Sequence, residues 1–66
     1  MNHVEFTYTT GTGSVTSGLN IRKEPDPSSE SVGTYSIGDR VTITEVNGCW
    51  GKTDKGWINL QYVRYD

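Results

Sequence analysis

The sequence predicts an all-β fold, a small closed barrel of short strands, and three observations lead to this prediction. The chain has 66 residues, so it forms one domain around one small core. Turn-forming pairs such as Ser17-Gly18, Asn47-Gly48 and Lys55-Gly56 recur after short runs and leave no segment for a long helix. Apolar and polar residues alternate within these runs, which is typical of strands that bury one face.

Residues 1–12 are predicted to be a linker or an N-terminal edge segment, and residues 13–66 are predicted to form the domain. The first segment is rich in Thr and Gly, a composition that suits a linker better than a core element. The alternation of Val4, Phe6 and Tyr8 could still add an edge strand.

The first strand after this segment is predicted to include Leu19 to Arg22. Leu19 and Ile21 would face the core, while Asn20 and Arg22 would face outward. The following segment, 23–31, carries no large apolar side chain, and its two prolines favour extended conformations in the residues before them. We therefore expect a surface loop at 23–31.

A hairpin is predicted from Arg40 to Thr53. Val41 and Ile43 alternate with polar residues, as a strand with one buried face requires. The strongest turn signal is Asn47-Gly48, because a type I′ turn needs positive φ at both central residues and Asn-Gly tolerates this best.

The end of the domain is predicted to hold a strand at Trp57–Asn59, one 3₁₀ turn at Leu60–Tyr62 and a last short strand at Val63-Arg64. Closure into a barrel would protect most of the strand edges. A core this small needs most of the large apolar residues for packing. The predicted core residues are Leu19, Ile21, Val32, Ile37, Val41, Ile43, Trp57, Ile58 and Leu60.

The charge of the chain argues against nucleic acid as a partner. Six Lys and Arg residues stand against eight Asp and Glu, with the signs interspersed, and a phosphate backbone needs clustered cations. No apolar stretch approaches the roughly 20 residues that cross a bilayer, so we expect no membrane insertion. An export signal, if the protein has one, would lie on a larger parent protein.

Catalysis and metal binding are not expected. The only histidine, His3, lies far in sequence from the only cysteine, Cys49, so a nucleophile would lack its base. One His and one Cys are too few for zinc, and Asp26 and Glu30 lack the spacing of a calcium loop. We therefore predict no enzymatic activity, no cofactor and no metal site.

Two aromatic residues, Trp50 and Tyr62, are candidates for ligand binding, because aromatic side chains give a large contact area at low entropic cost. Trp50 could contact a ligand or pack at the edge of the core. Tyr62 could pack its ring while its hydroxyl reaches water. Trp57, in contrast, is expected to be a buried partner of the first strand.

Asn20 and Arg22 complete the set of candidate binding residues, and we expect the four side chains to line one shallow groove. The Arg22 guanidinium could bind a carboxylate of a peptide ligand, or it could brace the loop through Glu24, Asp26 or Glu30. Asn20 could bind a peptide backbone or form a side-chain hydrogen bond that shapes a local turn.

The order of these motifs resembles the bacterial SH3 family (SH3b, SH3_3-type). The resemblance runs from about Gly13 to Tyr62 or Val63. It rests on Leu19-Asn20-Ile21-Arg22, a Pro-containing loop, Trp50-Gly51-Lys52-Thr53 and Gly56-Trp57-Ile58. It implies a small SH3-like barrel of five to seven short strands. A eukaryotic type of proline-rich ligand is disfavoured, since the chain has no Ala-Leu-Tyr-Asp-Tyr-like run.

The sequences Trp50-Gly51-Lys52-Thr53 and Gly56-Trp57-Ile58 resemble those of SH3b domains that are attached to cell-wall hydrolases of Gram-positive bacteria and their phages. This similarity implies a non-catalytic, extracellular module that targets an attached amidase, muramidase or NlpC/P60-type peptidase to peptidoglycan. The family does not share one ligand, so cross-bridge peptides, stem peptides and glycan strands are all candidates. The expected ligand is a peptidoglycan peptide or muropeptide, bound by a monomer. The alternative is a structural module that packs on its neighbouring catalytic domain and shapes the cleft of that domain.

Overall fold

The computed structural model describes residues 8–66, which form eight strands and one 3₁₀ helix. The strands are β1 Gly11–Val15, β2 Leu19–Arg22, β3 Ser31–Tyr35, β4 Arg40–Ile43, β5 Glu45–Asn47, β6 Trp50–Thr53, β7 Gly56–Asn59 and β8 Val63–Tyr65. The 3₁₀ helix, Leu60–Tyr62, lies between β7 and β8. Within this part of the chain, no helix is long and apolar enough to cross a membrane.

The strands form two antiparallel sheets. The first has the order β4-β1-β8, and the second has the order β3-β2-β7-β6-β5. Thr44 separates β4 from β5, so the chain passes from one sheet directly into the other, and the Thr44 amide donates to the Lys52 carbonyl at 2.9 Å. The two sheets therefore wrap around a single core.

Seven buried side chains form the core: Val15, Ile21, Tyr35, Val41, Ile43, Ile58 and Leu60. The alternation predicted for β2 and β4 is confirmed, since Ile21, Val41 and Ile43 are buried and the residues between them are more exposed. The one buried polar residue in the described chain, Thr53, accepts from the Tyr35 hydroxyl at 3.2 Å and donates to the Gly56 carbonyl at 2.9 Å. The core thus contains no unpaired polar side chain among the described residues.

The all-β class is confirmed, as are the 3₁₀ turn at Leu60–Tyr62 and the short strand after it. The number of strands is eight rather than five to seven, because β1 adds a central strand to the first sheet and Thr44 divides the predicted long strand. β1 begins at Gly11. In the alternation Val4, Phe6 and Tyr8, the first two residues lie outside the described residues, and Tyr8 belongs to no strand.

Two residues predicted for the core, Val32 and Ile37, are exposed by 50% and 71%. In β3, Gly33 and Tyr35 pair with Ile21 and Leu19, and so they take the positions that face the core. Val32 therefore lies on the other face. Ile37 lies in the turn that leads to β4, where the Ser36 amide donates to the Asp39 carboxylate at 2.8 Å.

The turn between β5 and β6 is shifted by one residue from the predicted one. Asn47 pairs with Trp50, so the two-residue loop is Gly48-Cys49 and not Asn47-Gly48. Gly48 has φ +63°, and no residue other than glycine has positive φ within residues 8–66. These φ signs match a type II′ turn, in which only the first central residue requires a positive φ.

Candidate functional site

A shallow groove of about 340 Å³ lies where β2, the loop after β2, β6 and the 3₁₀ helix come together. All four predicted binding residues, Asn20, Arg22, Trp50 and Tyr62, line this groove. Its other lining residues are Ser17, Gly18, Leu19, Pro27 and Asn59. The lining includes one cation, Arg22, and no carboxylate.

The strand register places four of the groove residues, Asn20, Arg22, Trp50 and Asn59, on the outer face of the second sheet. Trp50 of β6 pairs directly with Asn59 of β7, and Arg22 of β2 pairs directly with Trp57 of β7. Directly paired residues of antiparallel strands project their side chains from the same face. Residues of three neighbouring strands therefore share the face that carries the groove.

Arg22 is half-buried, and its guanidinium is held by the loop that follows β2. Its Nη1 donates to the Ser29 carbonyl at 3.1 Å. The guanidinium thus braces the loop, one of the two predicted roles, but through the backbone and not through Glu24, Asp26 or Glu30. Within residues 8–66 no carboxylate lies within ion-pair distance of Arg22.

The loop itself is fixed by short-range hydrogen bonds. The Lys23 amide donates to the Glu30 carbonyl at 2.9 Å, and the Glu24 amide donates to Ser29 Oγ at 2.8 Å. The Asp26 carboxylate accepts from the amide and the hydroxyl of Ser28 at 2.9 and 2.8 Å. These two bonds, the amide first, lower the pKa of Asp26 below its ordinary value of 3.8.

The side chains of Asn20, Trp50 and Tyr62 retain free hydrogen-bonding groups. Asn20 is exposed, Tyr62 is 42% exposed and Trp50 is half-buried. Within the described chain, none of these three side chains forms an intramolecular hydrogen bond. The predicted local bond of Asn20 is therefore absent, and the carboxamide, indole and phenol groups can all reach a ligand.

Trp57 is 8% exposed, although it lies on the outer face of β7. Its cross-strand partners are Arg22 on β2 and Lys52 on β6. The prediction that Trp57 is a buried partner of the strand Leu19–Arg22, which is β2 in the structure, is confirmed. Trp57 is consequently a supporting residue beside the groove, since the groove lining does not include it.

Asn59 is a groove residue that the sequence analysis missed. It caps the 3₁₀ helix, where its Oδ1 accepts from the Gln61 amide at 2.9 Å. This bond orients the carboxamide and leaves its NH₂ group available as a donor. An Asn immediately before a predicted helical turn is a capping signal, and that signal could have identified it.

A second depression, of about 690 Å³, lies between residues 8–12 and 63–66 and contains none of the predicted binding residues. There the Tyr65 hydroxyl donates to the Thr9 carbonyl at 2.6 Å. Burial, with a smaller contribution from Tyr8, raises the pKa of Tyr65 above 10.0. The lining begins at Tyr8, the first residue that the structure describes, and we assign no site to this depression.

The described residues contain no group of three or more His, Cys, Asp or Glu side chains that could hold a metal ion. Cys49 is a free, half-buried thiol in the loop between β5 and β6. His3, the base considered in the sequence analysis, lies outside the described residues.

The family model described as bacterial SH3 domain matches residues 17–64. The chain belongs to this family. The matched segment contains every residue of the groove lining. Comparisons with curated proteins and with solved structures gave no match. Bacterial SH3 domains are commonly binding modules and are not a catalytic family, and an SH3-like fold agrees with the observed all-β architecture.

Proposed function

We propose that this bacterial SH3 domain is a non-catalytic cell-wall binding module that targets an attached peptidoglycan hydrolase to its substrate. One observation carries the proposal: the groove brings together Asn20, Arg22, Trp50 and Tyr62. Three of these side chains have no hydrogen bond within the described chain. An aromatic surface with open hydrogen-bonding groups suits an extended polar ligand such as a peptide.

The proposed ligand is a peptide or muropeptide segment of peptidoglycan. The groove is shallow, so we expect a single site to bind weakly. Many ligand copies on one polymer, or several linked domains, would raise the effective concentration and retain the parent protein. This arrangement suits an extracellular, wall-associated protein whose catalytic domain is an amidase, a muramidase or an NlpC/P60-type peptidase.

Retention on purified Gram-positive sacculi tests the proposal. The domain should remain with the sacculi, and the double variant Trp50→Ala/Tyr62→Ala should be released. Ile37→Ala is the matched control, because it truncates an apolar side chain that is 71% exposed and lies outside the groove lining. Equal retention of all three proteins, or of an unrelated acidic domain of the same size, would contradict the proposal.

The alternative, a module that packs on its own catalytic neighbour, predicts a different result in the parent enzyme. Removal of a simple targeting module should leave the rate on a small soluble muropeptide unchanged. A change in that rate, together with no retention on sacculi, would support the alternative.

A further inference from the structure

We propose that the groove recognises a peptide through a free carboxylate that binds the Arg22 guanidinium. This inference rests on the proposed function and names the chemical feature by which that ligand is selected. The first observation is the charge of the groove lining, in which Arg22 is the one charged side chain.

The Arg22 guanidinium is held in place by one hydrogen bond, and its other donors have no partner within residues 8–66. One of its five N–H donors binds the Ser29 carbonyl, and a carbonyl acceptor leaves the positive charge without a counter-ion. The carboxylate of Asp26, in the loop after β2, accepts from the amide and hydroxyl of Ser28 and forms no ion pair with Arg22. Arg22 therefore has both the charge and the free donors that a bidentate bond to a carboxylate requires.

The other lining groups fit the remainder of a peptide. Asn59 keeps its NH₂ group for donation, because its oxygen is held by the Gln61 amide. Asn20 offers both a donor and an acceptor to a peptide backbone. Trp50 and Tyr62 add apolar contact area. The groove thus combines a carboxylate site with donors and aromatic contacts for the adjoining residues.

The strand register also shows which residues lie beside Arg22 on the outer face of the sheet. Trp57 lies between Arg22 on β2 and Lys52 on β6, so one buried indole separates two cations on the same face. Lys52 in turn pairs with Glu45 of β5, which supplies a carboxylate on its far side. The β3 residue that pairs with Arg22 is Ser31, which carries no charge, and within residues 8–66 no carboxylate forms an ion pair with Arg22. A ligand can therefore supply the carboxylate.

The experiment compares two synthetic stem pentapeptides that differ only in their carboxyl groups, which are all free carboxylates in one peptide and all carboxamides in the other. Binding to the intact domain is followed by titration of backbone amide shifts. We expect the free acid to bind about tenfold more tightly, the size of one charge-assisted hydrogen bond at a partly exposed site. Arg22→Gln should remove this preference, whereas Arg22→Lys should keep part of it.

The matched control is Lys23→Gln, which removes the same charge from an exposed neighbour outside the groove lining and should leave the preference unchanged. Should Arg22→Gln loosen the loop, the pair of peptides still tests the proposal on the unmodified domain. Equal binding of the two peptides would overturn the inference and leave the proposed function standing. Binding of neither peptide, or of a neutral disaccharide alone, would also overturn it. Loss of retention on sacculi as well would overturn both.

Discussion

Gly51 of β6 lies directly against Leu60, the first residue of the 3₁₀ helix. A Cβ atom at Gly51 would be 2.5 Å from Leu60 Cδ2 and 2.9 Å from Ile43 Cγ2. Only glycine therefore allows the 3₁₀ helix to pack this closely on the sheet. Trp50 precedes Gly51, and Tyr62 ends the 3₁₀ helix. This packing therefore also positions the two aromatic residues that line the groove relative to each other.

The first prediction concerns this contact. Gly51→Ala forces a methyl group into a filled core, and overpacking of this kind destabilises a protein by about 1–3 kcal/mol. Chemical denaturation should show that loss. Gly33→Ala is the control, since its Cβ would make an ordinary 3.5 Å contact with Ile21 Cδ1 and should not destabilise the fold. Equal stability of the two variants would contradict the account.

The second prediction compares two residues that were both predicted for the core, of which the structure buries only Ile43. Ile43→Ala removes a side chain that is 1% exposed, and we expect it to lower the free energy of unfolding by about 2–5 kcal/mol. Ile37→Ala truncates a side chain that is 71% exposed and should change that free energy by less than about 0.5 kcal/mol. The same denaturation experiment measures both, and a large loss in Ile37→Ala would place that residue in the core.

The sequence predicted those parts of the fold that depend on local signals. Alternation identified the buried residues of β2 and β4, and the short run after Asn59 indicated the 3₁₀ turn. The errors at Val32 and Ile37 have different origins. Ile37 lies in the turn between β3 and β4, where a large apolar residue can remain exposed, and Val32 lies in β3. Which residues of β3 face the core depends on its register with β2, which places Gly33 opposite Ile21, and hydrophobicity alone cannot reveal a cross-strand register.

The third prediction concerns the acid sensitivity of the loop after β2. The pKa of Asp26 is lower in the folded state than its ordinary 3.8, so the hydrogen bonds to Ser28 stabilise the fold above that pH. This stabilisation is lost as the pH falls below 3.8 and the folded carboxylate takes up its proton. The Ser28 amide shift, followed from about pH 6 to about pH 2, should therefore titrate with a midpoint below 3.8.

Asp26→Asn is the control for this titration. Its carboxamide oxygen can accept the same hydrogen bonds but has no proton to gain, so the Ser28 transition should disappear. A midpoint at or above 3.8 in the unmodified protein would contradict the role of these bonds.

The fourth prediction uses the two tryptophans as separate reporters. Trp50 lines the groove, whereas Trp57 is 8% exposed and lies outside the lining. Addition of muropeptides released from sacculi should change the fluorescence of the domain, and Trp50→Phe should abolish that change. Trp57→Phe keeps an aromatic ring at the buried position and should retain it. A response that depends on Trp57 alone would move the site away from the groove.

The candidate site was predicted in part because its residues carry local signals. Asn20 and Arg22 alternate outward from apolar neighbours, and Trp50 and Tyr62 are aromatic residues beside turns. The sequence hypothesis placed these four residues in one shallow groove, but it contained no strand order. Their meeting depends on the pairing of β2 with β7 and of β7 with β6, which is a long-range property that local signals do not show. The partner of Arg22 was also beyond sequence reasoning, since it is a backbone carbonyl, that of Ser29.

The most direct test of the central claim, that the groove binds a cell-wall peptide, is a titration of the labelled domain with purified muropeptides while every backbone amide shift is followed. The largest shifts should occur at Asn20, Arg22, Trp50, Asn59 and Tyr62, five of the nine residues that line the groove. Shifts centred on residues 8–12 and 63–66, which line the second depression, would contradict the claim. So would a spectrum that muropeptides leave unchanged.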